Sequence, residues 1–382
     1  RLIDEEDKAA ALSAVSRCVR SGSLDVRLFT LQPKTFEAVP GMPFAYWVSD
    51  AVRQVFRRFP PFEGDERSVK QGLATADDFR FVRIWWEVPA SRLGDDWLPF
   101  AKGGAFSRFY ADIYLLVNWR ADGEELSSFA GSVIRNPAYY LRPGLTWPLR
   151  GITFSAQAVP EGCLFSVAGK MAFAPLSHLE SWLALFNSRP FDHLIRMFAG
   201  TVGGVQYEVG LIAGIPAVFE SPEAFSRLAA LARRAWSLKR ALDTTTENSH
   251  AFLLPAALRG RVGEFDPAAI SAELALIQAQ IDEIAFDLYG FSEADRLAAL
   301  VSVGEIQALD DEPDEEEESP EPEAPPIDGL LSWALGVAFG RFDWRLATGE
   351  RAAPAEPESF DPLPVRSPGM LPEGAEPFHA HD

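Results

Sequence analysis

Cysteine is nearly absent from this 382-residue chain, which contains only Cys18 and Cys163. Two thiols cannot form the disulfide framework typical of small secreted domains, so we expect a reducing, cytoplasmic compartment. Long apolar runs are missing as well. The longest spans residues 209–219 and is interrupted by two glycines and Pro216. It falls short of the ~20 residues that cross a bilayer, so the sequence predicts no membrane partner.

A signal peptide is also lacking, and the chain begins with Arg1 rather than with Met. We therefore expect it to be a piece of a longer protein. Apolar side chains are plentiful, since 47% of the residues are hydrophobic and 12% are aromatic. This proportion excludes disorder of the whole chain. The length suits about two to three domains.

Positive charge is scarce, and the formal net charge at pH 7 is -20. Half of this excess comes from ten carboxylates in residues 310–323, a stretch that contains no Lys or Arg. Residues 80–208 instead carry twelve Lys and Arg against eleven Asp and Glu. A near-neutral block in so acidic a chain is compatible with an anionic partner such as nucleic acid. The acidic stretch itself is typical of a solvated linker.

Helical periodicity marks both flanks of the near-neutral block. Apolar residues at helical spacing predict a helix that begins at Pro43 and ends at Pro60. Ser221 and Asp266, each followed by proline, are typical N-caps of two further helices. The helix after Asp266 has an apolar stripe spaced alternately four and three, and Gly290 ends it. This stripe indicates packing within a helical bundle or, alternatively, a partner-binding coiled coil.

Short apolar runs separated by Pro, Gly and Asp lie between these flanks and predict strands of a mixed sheet. The runs are residues 79–88, 113–119, 153–159, 163–167 and 171–174, and a helix over 177–186 follows them. The predicted fold class is therefore α+β, with a mixed-sheet domain flanked by helical segments. The predicted parts are a helical connector at 1–66, the mixed-sheet domain at 67–220, a helical domain at 221–305, an acidic disordered linker at 306–326 and a C-terminal segment at 327–382.

Motifs for hydrolysis, nucleotide binding and metal binding are missing or incomplete. The nucleophile elbow G-x-S-x-G is absent. Residues 162–170 resemble a phosphate loop, but their glycines are too far apart, and Met171 stands where Mg²⁺ would need a hydroxyl. His178, His193 and His250 are isolated from one another in sequence, so they predict no metal site.

Two further motifs resemble parts of methyltransferases. Residues 136–139 read Asn-Pro-Ala-Tyr, similar to the Asn-Pro-Pro-Tyr tetrad that accepts hydrogen bonds from an adenine N6 and stacks on the flipped base. Ala138 replaces the second proline of that tetrad. Residues 198–203 resemble a glycine-rich S-adenosylmethionine loop, although no strand-like run precedes them. One interpretation is a divergent methyltransferase that uses Asn136 and Tyr139, and the other is loop and turn residues of a binding domain.

Longer segments carry a family resemblance through their order and spacing. They are residues 44–50, 72–83, 102–104, 142–148, 183–189, 277–282 and 338–343. Together they resemble the C-terminal half of large adenine-specific DNA methyltransferases, which are related to type IIG restriction-modification enzymes and to the methyltransferase of BREX phage-defence systems. Residues 72–83 resemble the start of a TaqI-like target-recognition domain, but Ala76 departs from the usual Thr-Gly-Asp-Asn.

In that family the catalytic core, with its S-adenosylmethionine loop, lies upstream of these segments. The resemblance implies that this chain reads double-stranded DNA and positions it for methyl transfer to adenine N6 by an upstream domain of the parent enzyme. It implies that this chain alone holds no catalytic residue and no bound cofactor. One alternative is a complete restriction-linked enzyme whose missing part also carries a nuclease. Another is an interaction scaffold for other proteins of a defence complex.

Five side chains are the predicted DNA contacts: Lys102, Arg108, Arg142, Thr146 and Lys170. Lys102 precedes two glycines and Lys170 follows one, so each can approach a phosphate closely. Arg142 precedes Pro-Gly and presents its guanidinium on a stiff turn, which suits a guanine edge or a phosphate. The alternative for each cation is an ordinary surface charge in a tight turn.

Overall fold

The computed structural model describes residues 7–23, 25, 28–200, 204–218, 221–307 and 326–379, and most of the predicted acidic linker lies outside them. The helices are α1 (Lys8–Ser21), α2 (Asp50–Arg58), α3 (Asp78–Phe81), α4 (Arg120–Ser128), α5 (Leu176–Phe186), α6 (Arg189–Ala199), α7 (Val209–Ala213), α8 (Pro222–Asp243), α9 (Ala256–Arg259), α10 (Pro267–Tyr289), α11 (Glu293–Gln307), α12 (Pro326–Ala338) and α13 (Arg345–Thr348). The strands are β1 (Ser68–Lys70), β2 (Val82–Ile84), β3 (Trp97–Ala101), β4 (Leu115–Asn118), β5 (Gly144–Thr146), β6 (Arg150–Gly151), β7 (Gln157–Val159), β8 (Leu164–Phe165), β9 (Met171–Phe173) and β10 (Val205–Gln206). Short 3-10 helices cover Pro33–Ala38, Trp85–Glu87, Ala90–Arg92, Pro137–Tyr139 and Gly260–Val262.

The strands form two four-stranded sheets and one short pair. The first sheet has the order β1-β9-β5-β7 and is antiparallel throughout. The second has the order β2-β4-β3-β8, and its last pair, β3 with β8, is parallel. Strands β6 and β10 pair separately. The predicted α+β class is confirmed, but the strands divide between two sheets instead of joining one.

This division arises at the turn after β8. The Ser166 hydroxyl accepts hydrogen bonds from the backbone N–H groups of Ala168 and Gly169, at 3.1 and 2.8 Å. The turn carries the chain from β8, which pairs with β3, to β9, which pairs with β1 and β5. Both strands are fully buried apolar runs, so their sequences do not distinguish one sheet from the other.

The predicted N-caps of the two long helices are confirmed. The Ser221 hydroxyl accepts a hydrogen bond from the Ala224 N–H at 3.3 Å, and α8 begins at the following proline. The Asp266 carboxylate accepts hydrogen bonds from two N–H groups in the first turn of α10. Gly290 ends α10 in the left-handed conformation, with φ 71°. Local sequence therefore determines both ends of α10.

The helix predicted from Pro43 is wrong at its start, because α2 begins only at Asp50. Ser49 caps α2 by accepting a hydrogen bond from the Val52 N–H at 3.2 Å. The apolar residues before Ser49 form no helix, and several of them pack on the core from a turn. The apolar residues before Ser49 have helical spacing, and the predicted helix therefore started several residues too early.

The strand predicted over residues 79–88 is also largely wrong. Only β2 lies there, and it is flanked by α3 and a short 3-10 helix. Asp77 caps α3, since its carboxylate accepts a hydrogen bond from the Arg80 N–H at 3.1 Å. The cap therefore overrides the strand-like composition of this segment.

One hydrophobic core joins the first sheet to the long helices. It includes Val52 of α2, Leu145 of β5, Trp182 of α5, Trp236 of α8 and Ile281 of α10. Helix α10 packs against α5, α6 and α8, so the bundle interpretation of its apolar stripe is confirmed. A second core cluster draws residues from both four-stranded sheets. The predicted domain boundaries stay predictions. Within the described ranges, no helix combines the length and the apolar character needed to cross a membrane.

Candidate nucleic-acid interface

A cleft beside β3 and β8 brings together three segments that lie far apart in sequence. It measures about 360 Å³, and its lining includes Thr75, Asp78, Lys102 and the turn after β8. Asp78 forms an ion pair with Lys102 and accepts a hydrogen bond from the Thr75 hydroxyl at 2.5 Å. Burial by itself would raise the pKa of Asp78, but the hydrogen bonds from Lys102 and Thr75 outweigh it and lower the pKa. Two segments of the family resemblance thus meet at one ion pair.

Lys102 reaches this cleft from the end of β3, and about 29% of its side chain is exposed. Its ammonium group is already paired with a carboxylate, so a phosphate would have to replace Asp78 as its partner. Such an exchange is feasible, because the Asp78 side chain is itself half exposed and surface ion pairs contribute little free energy. The predicted contact of Lys102 with a DNA phosphate stays a prediction.

The glycines near Lys102 and Lys170 let two backbones pack directly against each other. Gly103 has φ 88°, and a Cβ there would lie 2.8 Å from the Trp147 carbonyl oxygen. A Cβ on Gly169 would lie 2.4 Å from the Ala101 carbonyl oxygen. Both positions therefore exclude any larger residue. The backbone that approaches these glycines belongs to this chain, and the predicted approach to a phosphate stays a prediction.

Ala76 occupies the left-handed region with φ 59°. An L-residue in this conformation is strained by about 1 to 2 kcal/mol, whereas glycine is not. The resembling family motif has glycine at this place, and the backbone geometry gives the physical reason. Ala76 also lines the cleft, so the chain keeps the turn despite the strain.

Arg142 is the exposed cation of the five predicted contacts. Its guanidinium lies 5.3 Å from the centroid of the Tyr139 ring and 5.7 Å from that of Phe173. Throughout the part of the chain that the structure describes, no carboxylate forms an ion pair with it. Contacts with two aromatic rings hold the group in place without neutralising its charge. Arg142 is therefore placed to meet an external anion or a base edge.

Lys170 and Thr146 lie inside the protein. Only 3% of the Lys170 side chain is exposed, and its ammonium lies 3.3 Å from a carboxylate oxygen of Glu208. The Thr146 hydroxyl is buried and donates a hydrogen bond to the Lys170 carbonyl oxygen at 3.0 Å. This geometry favours a role in holding the turn before β9 over a direct contact with DNA. Their predicted DNA contacts stay predictions.

Arg108 lies half-buried at the other end of the loop that begins at Lys102. Its guanidinium is 5.8 Å from the centroid of the Phe106 ring. Burial, followed by the nearby charge of Arg189, lowers the pKa of Arg108. The sequence did not single out Arg189 as a partner of Arg108, because only the fold brings the loop and α6 together.

A second meeting point of resembling segments lies where α5 ends and α6 begins. Asn187 is fully buried there, and its side-chain oxygen accepts a hydrogen bond from the Ala156 N–H at 2.9 Å. Its side-chain nitrogen donates to the carbonyl oxygens of Ala156 and Leu183, each at 2.9 Å. A single amide thus ties the chain before β7 to the end of α5.

Helix α10 completes this α5–α6 junction. The Gln278 amide donates hydrogen bonds to the Asn187 carbonyl oxygen at 3.0 Å and to Asp282 Oδ1 at 2.9 Å. The same Asp282 oxygen accepts a hydrogen bond from the Arg189 N–H at 2.8 Å. Burial raises the pKa of Asp282 despite these hydrogen bonds, which act in the opposite direction. Residues 183–189 and 277–282, two segments of the family resemblance, therefore contact each other where α10 packs on the α5–α6 junction.

The described residues of both methyltransferase-like motifs make contacts within the chain. The Asn136 amide donates a hydrogen bond to the Gln71 carbonyl oxygen at 2.9 Å, and the Tyr139 hydroxyl lies 3.1 Å from that of Ser68. Gly200 is the left-handed C-cap of α6, so the glycine-rich segment follows a helix and not a strand. The last three residues of that motif lie outside the described residues. No step of methyl transfer is assigned to these residues, and the interpretation as a divergent methyltransferase that uses Asn136 and Tyr139 stays a prediction.

The structure also accounts for one of the isolated histidines. His250 Nδ1 lies 2.9 Å from Asp112 Oδ1, and the His250 ring stacks on Trp85 with centroids 4.3 Å apart. Among the residues with described positions, no group of three or more His, Cys, Asp or Glu side chains is placed to hold a metal ion.

Known proteins that are similar to this chain belong to the same class as the one its segments resemble, the adenine-specific methyltransferases. No protein family model matches the chain. Two adenine-specific methyltransferases are similar to it. PglX of Lacticaseibacillus casei (strain Zhang) is 24% identical over 376 residues, which cover 90% of this chain and 30% of that protein. BrxX of Escherichia coli O9:H4 (strain HS) is 26% identical over 265 residues, which cover 66% of this chain and 20% of that protein. The chain thus spans less than a third of the length of either relative.

Proposed function

We propose that this chain is the DNA-recognition portion of an N6-adenine-specific DNA methyltransferase in a restriction-modification or phage-defence system. In this proposal it positions double-stranded DNA in the cytoplasm while an upstream domain of the parent enzyme transfers the methyl group from S-adenosylmethionine. The target adenine leaves the base stack before it reacts. Other proteins of the defence system are further partners in this proposal.

The observation that carries the proposal is the similarity to two adenine-specific methyltransferases along 90% and 66% of this chain. The geometry of the described residues supports recognition over chemistry. The Asn136 amide nitrogen donates to the Gln71 carbonyl oxygen, whereas the cleft and Arg142 expose cationic and polar groups. Those groups suit contacts with phosphates and base edges.

Lys102 and Arg142 have different roles in this proposal. Lys102 carries a flexible ammonium group, which suits a phosphate and conveys no sequence information. Arg142 has a planar guanidinium held over two rings, and such a group can pair with both acceptors of a guanine. A bidentate pair of this kind contributes ~1–3 kcal/mol of discrimination between bases.

The test uses Lys102→Ala and Arg142→Ala in the parent enzyme. We expect Lys102→Ala to weaken binding equally for all DNA sequences and to flatten the dependence of log K on log salt by about one unit. We expect Arg142→Ala to relax the methylated motif at one position, measured by sequencing the modified DNA. Arg234→Ala is the matched control, since this exposed arginine on α8 is paired with Glu273.

The proposal fails if neither substitution changes affinity, salt dependence or motif while the control behaves like the wild type. Circular dichroism of each variant separates loss of recognition from loss of folding. If Arg142→Ala unfolds the protein, Arg142→Lys keeps the charge over the rings and removes only the planar fork. A relaxed motif in that variant supports base recognition, and an unchanged motif contradicts it.

A further inference from the structure

One face of α6 carries an unusual concentration of charge inside the protein. Arg189, Asp192 and Arg196 follow one another at spacings of three and four, so they share this face. Asp192 accepts hydrogen bonds from the Phe154 N–H at 2.8 Å and from Arg196 Nε at 3.0 Å. Both of its oxygens are therefore occupied.

Several donors in this region have no acceptor among the described residues. Arg196 is 6% exposed, and its two terminal nitrogens are buried without a hydrogen-bond partner. The same holds for Arg189 Nη1, for Arg108 Nε and for the Ser155 hydroxyl, which is fully buried. A buried donor left without a partner costs ~1–3 kcal/mol, so this cluster would be costly without an acceptor.

The backbone places Arg108 beside the start of α6. Phe109, the next residue, donates its N–H to the Ala156 carbonyl oxygen at 2.8 Å. Ala156 in turn donates its N–H to the side chain of Asn187, two residues before Arg189, at 2.9 Å. Arg108 and Arg189 are both of intermediate exposure, so neither residue is sealed off from solvent.

Among the described residues, no carboxylate lies within ion-pair distance of Arg108 or Arg189, although the charge of Asp282 acts on both. Asp282 Oδ1 accepts from the backbone of Arg189 and from Gln278, and Asp192 is occupied by Phe154 and Arg196. Three arginines and two aspartates leave one positive charge in excess. Like charges held together in a poorly solvated place attract an anion, and guanidinium groups match a phosphate through paired N–H donors.

We propose that Arg108 and Arg189 form an oxyanion site that takes a phosphate group, with Arg196 adding positive charge behind them. The phosphate is a phosphodiester of the bound DNA strand, so this part of the inference rests on the proposed function. Arg108 and Lys102 then stand at opposite ends of one loop, of which residues 104–106 are exposed, and both face the backbone of the DNA. The site contributes affinity and orientation but no sequence preference.

The experiment compares the 382-residue chain with Arg108→Gln, Arg189→Gln and the double variant, and Arg234→Gln is the matched control. The first probe is inorganic phosphate, added at constant ionic strength with chloride as the compensating ion. We expect phosphate to raise the Tm of the wild type and of the control, and to leave that of the double variant unchanged. The second probe is a DNA duplex, for which the double variant should lose about one unit of the salt slope, as expected for one phosphate contact.

Each outcome has a defined meaning. No rise in Tm with phosphate, together with unchanged duplex binding in the double variant, overturns the site. A rise in Tm that the double variant abolishes, with duplex affinity and salt slope unaffected, shows a site for free phosphate and overturns the assignment to DNA. If the wild type binds phosphate but no duplex, the proposed function fails while the anion site stands.

Conservative variants keep the test valid if the double variant does not fold. Arg108→Lys and Arg189→Lys retain the charge but lose the paired N–H donors. For each, we expect a smaller rise in Tm with phosphate and a nearly normal salt slope. A full phosphate response in both lysine variants would overturn the role of the guanidinium geometry.

Discussion

Asp78 in the cleft and Asp282 at the α5–α6 junction both lie in segments that resemble the same family, yet the protein treats the two carboxyl groups in opposite ways. Asp78 is half exposed, and hydrogen bonds from Lys102 and Thr75 outweigh the effect of burial, so its pKa is lowered. Asp282 is 8% exposed, and burial raises its pKa. The first carboxylate balances a cation at a surface, and the second holds two helices together.

Segments that resemble the same family can therefore serve two purposes: some hold the fold together, and others place charged groups at the surface. At the junction the side-chain amide of Asn187 and Oδ1 of Asp282 are occupied by hydrogen bonds within the chain, which is typical of buried structural groups. At the cleft, Lys102 and Asp78 neutralise each other within reach of solvent, and a phosphate could exchange for the carboxylate. Burial and hydrogen-bond saturation therefore distinguish the two regions where sequence similarity does not.

The largest effect is expected at the junction, from Asn187→Ala. This change leaves the buried N–H and carbonyl oxygen of Ala156 without their partner. Because each such group costs ~1–3 kcal/mol, we expect the free energy of unfolding to fall by about 3 kcal/mol. Urea unfolding followed by circular dichroism measures it. Asn118→Ala, which removes exposed hydrogen bonds to Glu125 and from the Arg120 N–H, should stay within about 1 kcal/mol. Similar losses in both variants would erase the distinction between the regions.

The next effect is on pH dependence, where the two aspartates should differ in sign. A raised pKa means that folded Asp282 binds its proton more tightly than the unfolded chain does, so stability falls as pH rises above the ordinary aspartate value and through the folded pKa. A lowered pKa gives the reverse for Asp78, whose contribution is present above the ordinary value and is lost as pH falls through the folded pKa.

Replacing each aspartate by asparagine tests these signs. We expect Asp282→Asn to reduce the loss of stability on the rising-pH side, and Asp78→Asn to reduce the loss at acid pH. The change for Asp78 should be the smaller one, because water screens a half-exposed ion pair. Denaturant unfolding at a series of pH values measures both. A change of the same sign in the two variants would contradict the comparison.

The smallest effect is expected from Ala76→Gly in the cleft. Relief of the left-handed strain at φ 59° exceeds the extra chain entropy of glycine, so the protein should gain about 0.5–1 kcal/mol. Ala105→Gly is the control on the neighbouring loop, since Ala105 has no positive φ and should lose a few tenths of a kcal/mol to about 1 kcal/mol. Thermal unfolding gives both values. A loss in both variants would show that Ala76 is not strained.

Some parts of the candidate site were predictable from sequence, and their physical basis is local. The glycines after Lys102 indicated a tight bend, and Gly103 and Gly104 both have positive φ. The turn predicted at the Pro-Gly after Arg142 is wrong, because Gly144 begins β5 and the turn lies just before Arg142, where Leu141 has φ 64°. The ion pair between Lys102 and Asp78 was not predictable, because 24 residues separate the partners. Likewise, Arg189 and Asp282 are 93 residues apart. The burial of Lys170 was also not predictable, since a lysine after glycine is usually solvated.

The sequence by itself determined the α+β class, the start of α8 and both ends of α10. A Ser or Asp before proline offers an acceptor to the first-turn N–H groups, and glycine at the end of α10 accepts the left-handed conformation without strain. Only the tertiary structure decided that β8 and β9 enter different sheets, since both are fully buried runs with equal local preference. It also decided which polar groups are saturated inside the protein and which face solvent. Those outcomes depend on packing between segments far apart in the chain, and local patterns carry no information about it.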